Sequence, residues 1–545
     1  MSETTYRRIL KWGNPDHDEK LKDHVVHALK QDFDLSEADL NGAHLSGEMP
    51  VKLRKKSRLS AANVKSLKSI VGVANVDVSD DARASHSHGK FYGEIMRMRM
   101  GKIDNPPDAV VSPRDESDVN RILKLCRQKK IAVVPFGGNS SVTRALEAHK
   151  GGIALALTRH MNEVVHLSEI NQSVTVQPGM YGPDLEKYLN ERGYTCGHFP
   201  QSFEFSTVGG WAAARGAGQA STGYGTMADM VLSMRVATPN GVLETSDYAA
   251  ASIGPDLDQL IVGSEGIFGV ITEITMKVRP FRPENSELAS YMFKDFESAV
   301  NAMREIMQGE FGKPHFFRVQ DPEETSISFR MAGMEGGLAD KFLNLTGYKD
   351  MQRSLMHVIV EGDKDYTDFV ARKIKKVARK YGAFSTGRSP VEKWLEQRYS
   401  SAYLRDPMMD MGIMIDTVET SVTWENLHGL WSNTRAYIKS RENTNCLVHI
   451  SHCYENGAML YFIFMSPMNK GNELKDFEQF HKGLIDTIHK HKGSLSHHHG
   501  IGRLAAPWMK GEVGATGLGI LQAVKDYTDP TGIMNPGGSM LGLKK

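Results

Sequence analysis

The apolar positions of the chain repeat with two periods, and the change between them predicts where helices and strands lie. Residues 116–130 (ESDVNRILKLCRQKK) carry apolar side chains three or four positions apart, the spacing of one helix face. Residues 173–179 (SVTVQPG) alternate apolar and polar side chains, as a half-buried strand does. Residues 231–245 (VLSMRVATPNGVLET) read as two strands around Asn-Gly, which predicts a hairpin. Short strands outnumber long helices, so we expect an α+β domain over residues 96–282.

The second half of the chain shows the same two patterns with longer helices. Predicted strands and helices alternate between residues 290 and 490, which indicates an α+β domain with an antiparallel sheet. The predicted helices cover residues 296–309, 364–383 and 474–493, and the predicted strands cover residues 314–322, 355–363, 445–453 and 458–467. We assign this domain to residues 283–490.

The two ends of the chain are expected to differ from these domains. Residues 1–95 are polar and rich in charge, with a helical pattern at residues 21–33, so they predict a solvated surface extension. The basic run at residues 52–60 (KLRKKSRLS) offers an alternative role, a weak peripheral contact with anionic lipid headgroups. Residues 491–545 are expected to return to the first domain.

Length, charge and cysteine content narrow the class of protein. A chain of 545 residues is too long for one hydrophobic core, and its net charge of +1 gives no case for a nucleic-acid partner. The four cysteines are scattered, as reduced thiols of a cytosolic protein are. The sequence shows no apolar run long enough for a membrane span, no signal-peptide core and no peroxisomal Ser-Lys-Leu tail. The simplest expectation is a cytoplasmic bacterial protein.

Residues 135–146 (PFGGNSSVTRAL) follow a predicted strand and form a candidate ligand loop. Gly137 and Gly138 lack a Cβ atom, so the backbone can turn sharply and approach a ligand closely. Asn139 tolerates a left-handed conformation, and the serines that follow add hydroxyl donors. Successive N–H groups in such a loop form an anion-binding concavity, so we interpret it as a pyrophosphate cradle. A plain turn is the alternative, because the motif is neither G-x-G-x-x-G nor a Walker loop.

Three separated segments resemble the vanillyl-alcohol oxidase/p-cresol methylhydroxylase superfamily: residues 108–142, 200–217 and 263–271. The resemblance implies a two-subdomain FAD-binding domain, a cap (substrate) domain and non-covalent FAD. A tightly packed structural loop is the alternative for the Gly/Ser/Thr-rich residues 200–226. The cofactor-binding residues implied by the resemblance are Pro135, Phe136, Gly137, Gly138, Asn139, Ser140, Ser141, Gln201, Ser202, Glu204, Ser206, Thr207, Ala214, Arg215, Gly216, Ala217, Glu265, Gly266, Gly269, Val270 and Ile271.

Residues 494–502 (SLSHHHGIG) are similar, within this superfamily, to the alkyldihydroxyacetonephosphate synthase (alkylglycerone-phosphate synthase) family. Under this resemblance Tyr461 matches the catalytic tyrosine, and the histidine run follows at nearly the family spacing. This run, His497, His498 and His499, suits proton transfer, because imidazole titrates near neutrality. The alternatives are a buried structural tyrosine and a surface cluster of histidines.

Two arginines complete the implied site. Arg405, in Tyr-Leu-Arg-Asp, matches a substrate-binding arginine, and a guanidinium fork fits the geometry of a phosphate. Arg318, in Phe-Phe-Arg-Val, matches an arginine that the family needs for activity, so we place it among the catalytic residues. A solvated ion pair with the following aspartate is the alternative for Arg405.

No metal is expected at this site. Zinc-containing flavin dehydrogenases use a different pattern of histidine, aspartate and asparagine where this chain has HISHCYENGAM. His449 and His452 stand at positions of opposite parity in a predicted strand, so we expect them to face opposite sides. Consecutive histidines on an extended backbone also point in alternating directions, which makes residues 497–499 a poor tridentate site by themselves.

The resemblance implies an enzyme that exchanges the acyl chain of acyl-dihydroxyacetone phosphate for a fatty alcohol, as a homodimer. The exchange is redox-neutral and uses the flavin as an electrophile. Met331 and Met334 are candidates for the lining of an alkyl tunnel. The alternative is an FAD-dependent 2-hydroxyacid dehydrogenase of the D-lactate or glycolate type, because residues 529–538 (DPTGIMNPGG) are closer to that branch. A flavin-binding protein without catalysis is the third interpretation.

Overall fold

The computed structural model describes residues 9–17, 19–41 and 45–542. Expectations about the two ends of the chain that rest on residues 1–8 and 543–545 lie outside these described residues. Among the helices of the described part, none is long and apolar enough to cross a membrane.

The helices agree with the predicted periodicity in the segments for which it was clearest. Asp115, Asp295 and Asp363 each cap a predicted helix by accepting a backbone N–H from its first turn. In chain order the helices are α1 (Asp23–Phe33), α2 (Glu37–Asn41), α3 (Ala61–Val71), α4 (Asp80–Ser85), α5 (Tyr92–Arg99), α6 (Glu116–Lys129), α7 (Gly182–Asn190), α8 (Val208–Ala213), α9 (Ser221–Tyr224), α10 (Met227–Met230), α11 (Asp258–Ile261), α12 (Phe296–Met307), α13 (Pro322–Met331), α14 (Leu338–Leu345), α15 (Lys364–Lys380), α16 (Ser389–Gln397), α17 (Arg405–Asp410), α18 (Trp424–Ile438), α19 (Glu473–Lys490), α20 (Gly502–Ala505) and α21 (Met509–Thr528).

Two sheets form the framework of the first domain. The first contains β1 (Val76–Asp77), β2 (Ala109–Val111), β3 (Val133–Phe136) and β4 (Ile153–Ala156). Its order is β1-β2-β4-β3, and β4 runs parallel to both of its neighbours. Because β3 ends at Phe136, the sheet delivers the glycine loop at its edge.

The second sheet of this domain is antiparallel. The strands that follow β4 are β5 (Val164–Ser168), β6 (Ser173–Val176), β7 (Tyr194–Thr195), β8 (Val231–Thr238), β9 (Gly241–Glu244), β10 (Val270–Lys277) and β11 (Arg279–Pro280). The sheet has the order β5-β6-β10-β8-β9, while β7 pairs with β11. The predicted hairpin is confirmed, since β8 and β9 pair around Asn240 and Gly241.

An antiparallel sheet also forms the base of the cap domain. Its strands are β12 (Glu287–Phe293), β13 (Phe316–Gln320), β14 (Ser354–Val360), β15 (Phe384–Gly387), β16 (Ile413–Thr423), β17 (Asn445–Cys453) and β18 (Gly457–Pro467). The order is β15-β12-β14-β13-β17-β18-β16. The α+β fold class is confirmed. Strand β16 was not predicted from the sequence pattern, and it pairs with β18 along its whole length.

One face of the cap sheet packs against helices and forms the largest core. Phe296, Ile374, Leu430 and Phe477, from helices α12, α15, α18 and α19, are buried in one cluster with Phe462 of β18. Side chains alternate along a strand, so Tyr461 points to the opposite face. Strand β17 contacts the first domain, where His452 Nε2 donates to Gly218 O at 2.9 Å.

The N-terminal residues are not the solvated extension that their composition predicts. Ile9 and Leu10 are 4% and 1% exposed and belong to the core of the cap domain. Trp12 contacts Phe205 edge to face, with 5.0 Å between ring centroids. Lys90 is buried, and its backbone oxygen accepts a hydrogen bond from Arg405 Nη1 at 2.6 Å. The expectation was wrong because charged residues of this segment find buried partners far along the chain.

The C-terminal segment lies against the first domain. Val133 N donates to Ile533 O, and Asn535 N donates to Val133 O, both at 2.8 Å. Asn535 Nδ2 also donates to the backbone oxygens of Ala145 and Glu265. These bonds tie the segment to the strand that carries the glycine loop. All four cysteines are buried and unbridged, as expected of reduced thiols.

Candidate functional site

The glycine loop packs directly on the second of the three flavin-like segments. A Cβ atom added to Gly138 would lie 1.9 Å from Phe205 O, and one added to Gly137 would lie 2.4 Å from Thr207 Oγ1. Asn139 adopts the left-handed backbone expected of it, with φ of +63°. The loop conformation therefore depends on glycine at two positions and on a tolerant residue at the third.

Glu265 joins the third segment to the glycine loop and to the C-terminal segment. Its carboxylate accepts hydrogen bonds from Thr143 Oγ1 at 3.0 Å, and from Gly502 N and Ser539 Oγ at 2.7 Å. Burial raises the pKa of Glu265 to about 7, although these bonds favour the ionised form. In the same loop Gly266 packs on Pro135, where an added Cβ would lie 2.9 Å from the proline ring. In the described structure Glu265 therefore holds the glycine loop and the C-terminal segment together by hydrogen bonds.

Side chains of the second segment also hold the scaffold together. Gln201 Nε2 donates to Arg398 O in the cap domain at 2.8 Å. Glu204 accepts a hydrogen bond from the Tyr403 hydroxyl at 2.7 Å. Ser206 and Thr207 hold helix α8, through the Trp211 indole and the Gly210 N–H respectively. Ser202 precedes a 3-10 turn, Phe203–Phe205. Contacts of these residues with a cofactor stay predictions.

The remaining predicted cofactor-binding residues lie in the turn after helix α8 and at the start of strand β10. Ala214, Arg215, Gly216 and Ala217 follow helix α8 in a turn, and Arg215 has φ of +54°. Gly269 precedes the buried Val270 and Ile271 of β10, so these two side chains lie in the core. Gly216 lies beside His198, a buried histidine that the sequence analysis did not select. Neither ring nitrogen of His198 has a hydrogen-bond partner among the described residues.

The glycine loop fits the pyrophosphate of FAD. The backbone N–H groups of residues 138–141 have no hydrogen-bond partner in the described part of the chain, and neither does the buried Asn139 Oδ1. Successive N–H groups of this kind are the donors that a phosphate needs. Pro135 to Ser141, including Phe136 and Ser140, would hold that end of the cofactor. The turn at residues 214–217 would lie towards the cap.

Tyr461 is placed at the centre of the polar face of the cap. Its hydroxyl donates to Thr417 Oγ1 at 3.1 Å. The ring stacks on His449 with 4.9 Å between centroids, and lies 6.1 and 5.7 Å from the rings of His498 and His499. Burial raises the pKa of Tyr461 to about 12. The hydroxyl is therefore protonated at neutral pH and can donate.

Glu419 holds the histidine run in place. Its carboxylate accepts hydrogen bonds from the backbone N–H groups of His497, His498 and His499 at 2.6, 3.2 and 3.0 Å. The Ser496 hydroxyl adds another at 2.6 Å. Burial opposes ionisation of Glu419, but the histidines and these bonds lower its pKa. A buried negative charge therefore fixes the turn at residues 497–499.

The histidines of the run are held mainly in the neutral form. Burial lowers the pKa of all three, most strongly for His497 and His498, and Glu419 opposes this effect at His499. The Nδ1 atoms of His498 and His499 lie 3.7 and 3.6 Å from the Glu419 carboxylate. A neutral imidazole can accept a proton, and the nearby carboxylate stabilises the cation that forms.

His449 and His452 face the same cluster, contrary to expectation. A bulge in β17 between Ile450 and His452 shifts the register against β18 by one residue. His449 consequently stacks on Tyr461, and the ring of His452 lies 5.2 Å from that of His498. The expectation failed because strand parity holds only without a bulge.

Arg318 approaches the same cluster from β13. It forms a buried ion pair with Glu324, and its Nη2 lies 3.0 Å from His449 Nδ1. Burial opposes ionisation of Glu324, but His449 and Arg318 lower its pKa to about 2. The Arg318 Nε atom is buried without a partner among the described residues. Glu324 thus orients Arg318 and leaves one donor for a ligand.

Arg405 occupies a separate buried position. Its Nη1 donates to Lys90 O at 2.6 Å, and its guanidinium lies 5.3 Å from the indole of Trp12. Asp406 pairs with Arg99, so the expected alternative, a solvated Arg405–Asp406 pair, does not form. Nε and Nη2 of Arg405 have no partner in the part of the chain that is described. Two nitrogen donors of this buried cation are therefore suited to binding an anion. No described contact joins Arg405 to Tyr461.

One group of histidines has the spacing of metal ligands. Ligand atoms of His452, His497 and His498 lie within 4.8 Å of one another. The nitrogens nevertheless have other partners. His452 Nε2 donates to Gly218 O, His497 Nε2 lies 2.5 Å from the Tyr454 hydroxyl, and Nδ1 of His497 lies 3.1 Å from Nδ1 of His498. At least one ring nitrogen of each histidine is thus hydrogen-bonded, and the expectation of no metal stays a prediction.

Several residues of the site escaped the sequence analysis. Glu419 lies in an alternating strand pattern, where a buried carboxylate signals a fixed partner, whereas Glu324 lies between the polar Glu323 and Thr325 and gives no such signal. That signal could have found Glu419 once β16 had been predicted, because it stands in an alternating run. His198 had no such signal, since its place beside the site depends on contact between domains.

The comparisons with known proteins agree with this geometry. Residues 107–246 match the FAD binding domain family, and residues 282–538 match the C-terminal domain family of FAD linked oxidases. The chain is 34% identical over 471 residues to alkyldihydroxyacetonephosphate synthase of Dictyostelium discoideum, covering 84% of this chain and 77% of that protein.

Solved structures show the same relationship. A structure of alkyldihydroxyacetonephosphate synthase superposes with a TM-score of 0.83 at 29% identity, covering 97% of this chain and 99% of that one. A structure of p-cresol methylhydroxylase shares the fold, with a TM-score of 0.65 at 14% identity over 89% of this chain and 98% of that one. The FAD-binding domain and the cap have the fold of p-cresol methylhydroxylase, and the cofactor of the enzyme is FAD. The chain belongs to the alkyldihydroxyacetonephosphate synthase family.

Proposed function

We propose that this enzyme exchanges the acyl chain of acyl-dihydroxyacetone phosphate for a fatty alcohol and so forms an ether bond. The observation that carries the proposal is the arrangement around the histidine run. Tyr461 of the cap faces the run, and Arg318 contacts His449, on which Tyr461 stacks. Gly500 at the end of the run packs on Glu265 of the FAD-binding domain. Groups that bind anions and groups that move protons therefore meet at the contact between the two domains.

The arginines are suited to a phosphorylated substrate. Arg405 offers two buried donors to an anion, which matches the fork geometry of phosphate recognition. Arg318, oriented by Glu324, offers Nε to negative charge that develops during the exchange. Fixed donors of this kind stabilise charge without reorganising during the reaction.

The cap residues are suited to moving the protons of the exchange. FAD, when bound, supplies an electrophilic ring and needs no net oxidation for this reaction. Tyr461 is protonated at neutral pH and donates, while His499 is neutral and accepts. Glu419 stabilises the imidazolium that forms, because its carboxylate lies 3.6 Å from His499 Nδ1.

A lipid substrate requires access to a lipid surface, and helix α14 offers one. Leu338, Phe342 and Leu345 are 89%, 54% and 88% exposed and follow helical spacing. The neighbouring Lys341 and Lys349 are exposed and can contact anionic headgroups. This surface, rather than the basic run of the N-terminal region, is the peripheral membrane contact that we propose.

Met331 and Met334 do not line an internal tunnel. They are 38% and 39% exposed, in and just after helix α13. The expectation was wrong because these methionines precede the exposed helix rather than lie in the core. Their flexible apolar side chains extend the lipid-facing surface of α14.

The direct test is ether formation by the FAD-loaded protein. Purified protein is incubated with acyl-dihydroxyacetone phosphate and labelled hexadecanol, and alkali-stable labelled product is measured. We expect product in parallel with released fatty acid, without flavin bleaching. Anaerobic bleaching of the flavin by D-lactate or glycolate, with no ether product, would instead establish the dehydrogenase. Release of all FAD on acid precipitation tests non-covalent attachment.

A further inference from the structure

A polar cavity reaches the histidine run from the solvent side. Its volume is about 330 Å³, and both His497 and Tyr454 line it. The rest of the lining includes Ser421 and the exposed rim residues Asp229 and Asn456. A volume of this size holds several waters, each needing about 30 Å³. Water that fills the cavity can therefore reach His497, the first residue of the histidine run.

Hydrogen bonds continue from this wall into the site. The Tyr454 hydroxyl lies 2.5 Å from His497 Nε2, and Nδ1 of His497 lies 3.1 Å from Nδ1 of His498. The ring of His498 in turn stacks beside Tyr461, with 6.1 Å between centroids. Each imidazole has two nitrogens, so it can receive a proton on one and release it from the other.

The exchange reaction needs such a route. The fatty alcohol loses its hydroxyl proton when its oxygen bonds to carbon, and the ester bond that breaks releases the fatty acid as carboxylate. One proton per turnover is thus left in a buried site and must reach the solvent. Leaving it there would charge a histidine whose neutral form burial favours.

We propose that Tyr454 and His497 carry this proton from the buried histidines to water in the cavity. The proposal rests on the proposed function for the origin of the proton. It assigns a role to Tyr454, which lies outside the residues that the family resemblance selects. The cavity is then a proton exit, separate from the surface of α14 at which lipid would enter.

The test compares Tyr454→Phe with Tyr437→Phe in the FAD-loaded chain. Tyr437 is a matched control, because its hydroxyl makes one hydrogen bond, to Phe480 O at 2.9 Å, away from the cavity. We expect Tyr454→Phe to lower kcat about ten- to a hundredfold, part of the usual worth of a positioned acid or base, with KM unchanged. Millimolar imidazole should restore kcat, and Tyr437→Phe should behave as wild type. Equal melting temperatures and FAD contents would show that both variants fold.

Normal kcat in Tyr454→Phe, or a loss that imidazole does not restore, would overturn the proposal. A wild-type protein that forms no ether would refute the proposed function instead. In that case the relay is judged by proton exchange, which needs no turnover. In protein with ¹⁵N-labelled histidine, the ring N–H of His497 should exchange with solvent more slowly in Tyr454→Phe than in wild type. Equal exchange rates would overturn the relay whatever reaction the enzyme performs.

Discussion

Single side chains decide the chemistry of this site, and Tyr461 is the clearest case. Its ring stacks on the ring of His449 and lies edge to face with the ring of His499, with 5.7 Å between the centroids of that second pair. Its loss removes one hydrogen bond, to Thr417, and leaves the ring in place. A catalytic role and a structural role therefore predict different outcomes for the same substitution.

Tyr461→Phe should keep the fold and the FAD while ether formation falls by roughly two to four orders of magnitude. Adding His499→Ala to this variant should cost much less than His499→Ala alone, because groups that act as a unit are non-additive. The measurement is turnover and melting temperature for the four members of this set. If the role of Tyr461 is only structural, Tyr461→Phe should lower the free energy of unfolding by about 1 kcal/mol and leave turnover normal.

Arg405→Lys tests the assignment of the phosphate ligand. Lysine keeps the charge but lacks the fork, and it cannot replace both buried donors of Arg405. We expect KM for acyl-dihydroxyacetone phosphate to rise by one or two orders of magnitude, while KM for the fatty alcohol stays unchanged. Equal kinetics in the variant and wild type would remove Arg405 from the substrate site. Arg388→Lys, at an exposed Arg–Glu pair, is the control.

At the scale of elements, the loop of Glu265 links the glycine loop to the C-terminal segment. Thr143, Gly502 and Ser539 all donate to its carboxylate. Burial raises the pKa of Glu265 to about 7 from an ordinary value of 4.5. The folded state therefore binds this proton more tightly than the unfolded state does.

The consequence is a stability term that is present below the unfolded pKa and lost as pH rises through the folded pKa. Between pH 4.5 and 7 the free energy of unfolding of wild type should fall relative to Glu265→Gln, by about 1.4 kcal/mol per pH unit. Urea melts at several pH values measure this difference. The exposed Glu284→Gln keeps Glu265, so its curve should stay parallel to that of wild type. Parallel curves for all three proteins would contradict the expectation.

For the whole molecule, the surface of α14 predicts binding to lipid. Replacing Leu338, Phe342 and Leu345 together by glutamine should reduce cosedimentation with vesicles of phosphatidylglycerol at least tenfold, because apolar burial drives such binding. Turnover on short-chain, soluble substrates should be unchanged. Ile170→Gln is the control, since this side chain is 96% exposed in the other domain. Equal vesicle binding by all three proteins would show that α14 is not the contact.

Association of two chains is a second prediction at this scale. Beyond a kink at Gly514, helix α21 exposes Ile520 and Tyr527, which lie seven residues apart and are 60% and 75% exposed. An apolar stripe at this spacing is suited to packing against an equivalent helix. One chain has a mass of 60.5 kDa, and we expect light scattering to give twice this mass. Ile520→Lys should shift the mass towards the monomer, while a monomeric wild type would contradict the expectation.

The amino-acid sequence by itself determined most of the elements and the three flavin segments. Gly137 and Gly138 allow close approach because they lack a Cβ atom, and Asn139 adopts the predicted left-handed backbone, so both features come from the residues themselves. Helices such as α6 and α15 form where predicted, since their period and their caps lie within a few neighbouring positions. Local features of this kind depend little on the rest of the chain.

Only the tertiary structure decided which of the candidate residues meet. The bulge in β17 turned His452 towards His498, and that register depends on pairing with β18. Arg99 is buried because Asp406 lies beside it, 307 positions away in the chain. Glu419 reaches the histidine run through a similar long-range contact. A charged side chain can be buried only beside its partner. When that partner is distant in the sequence, the local pattern of residues does not identify it.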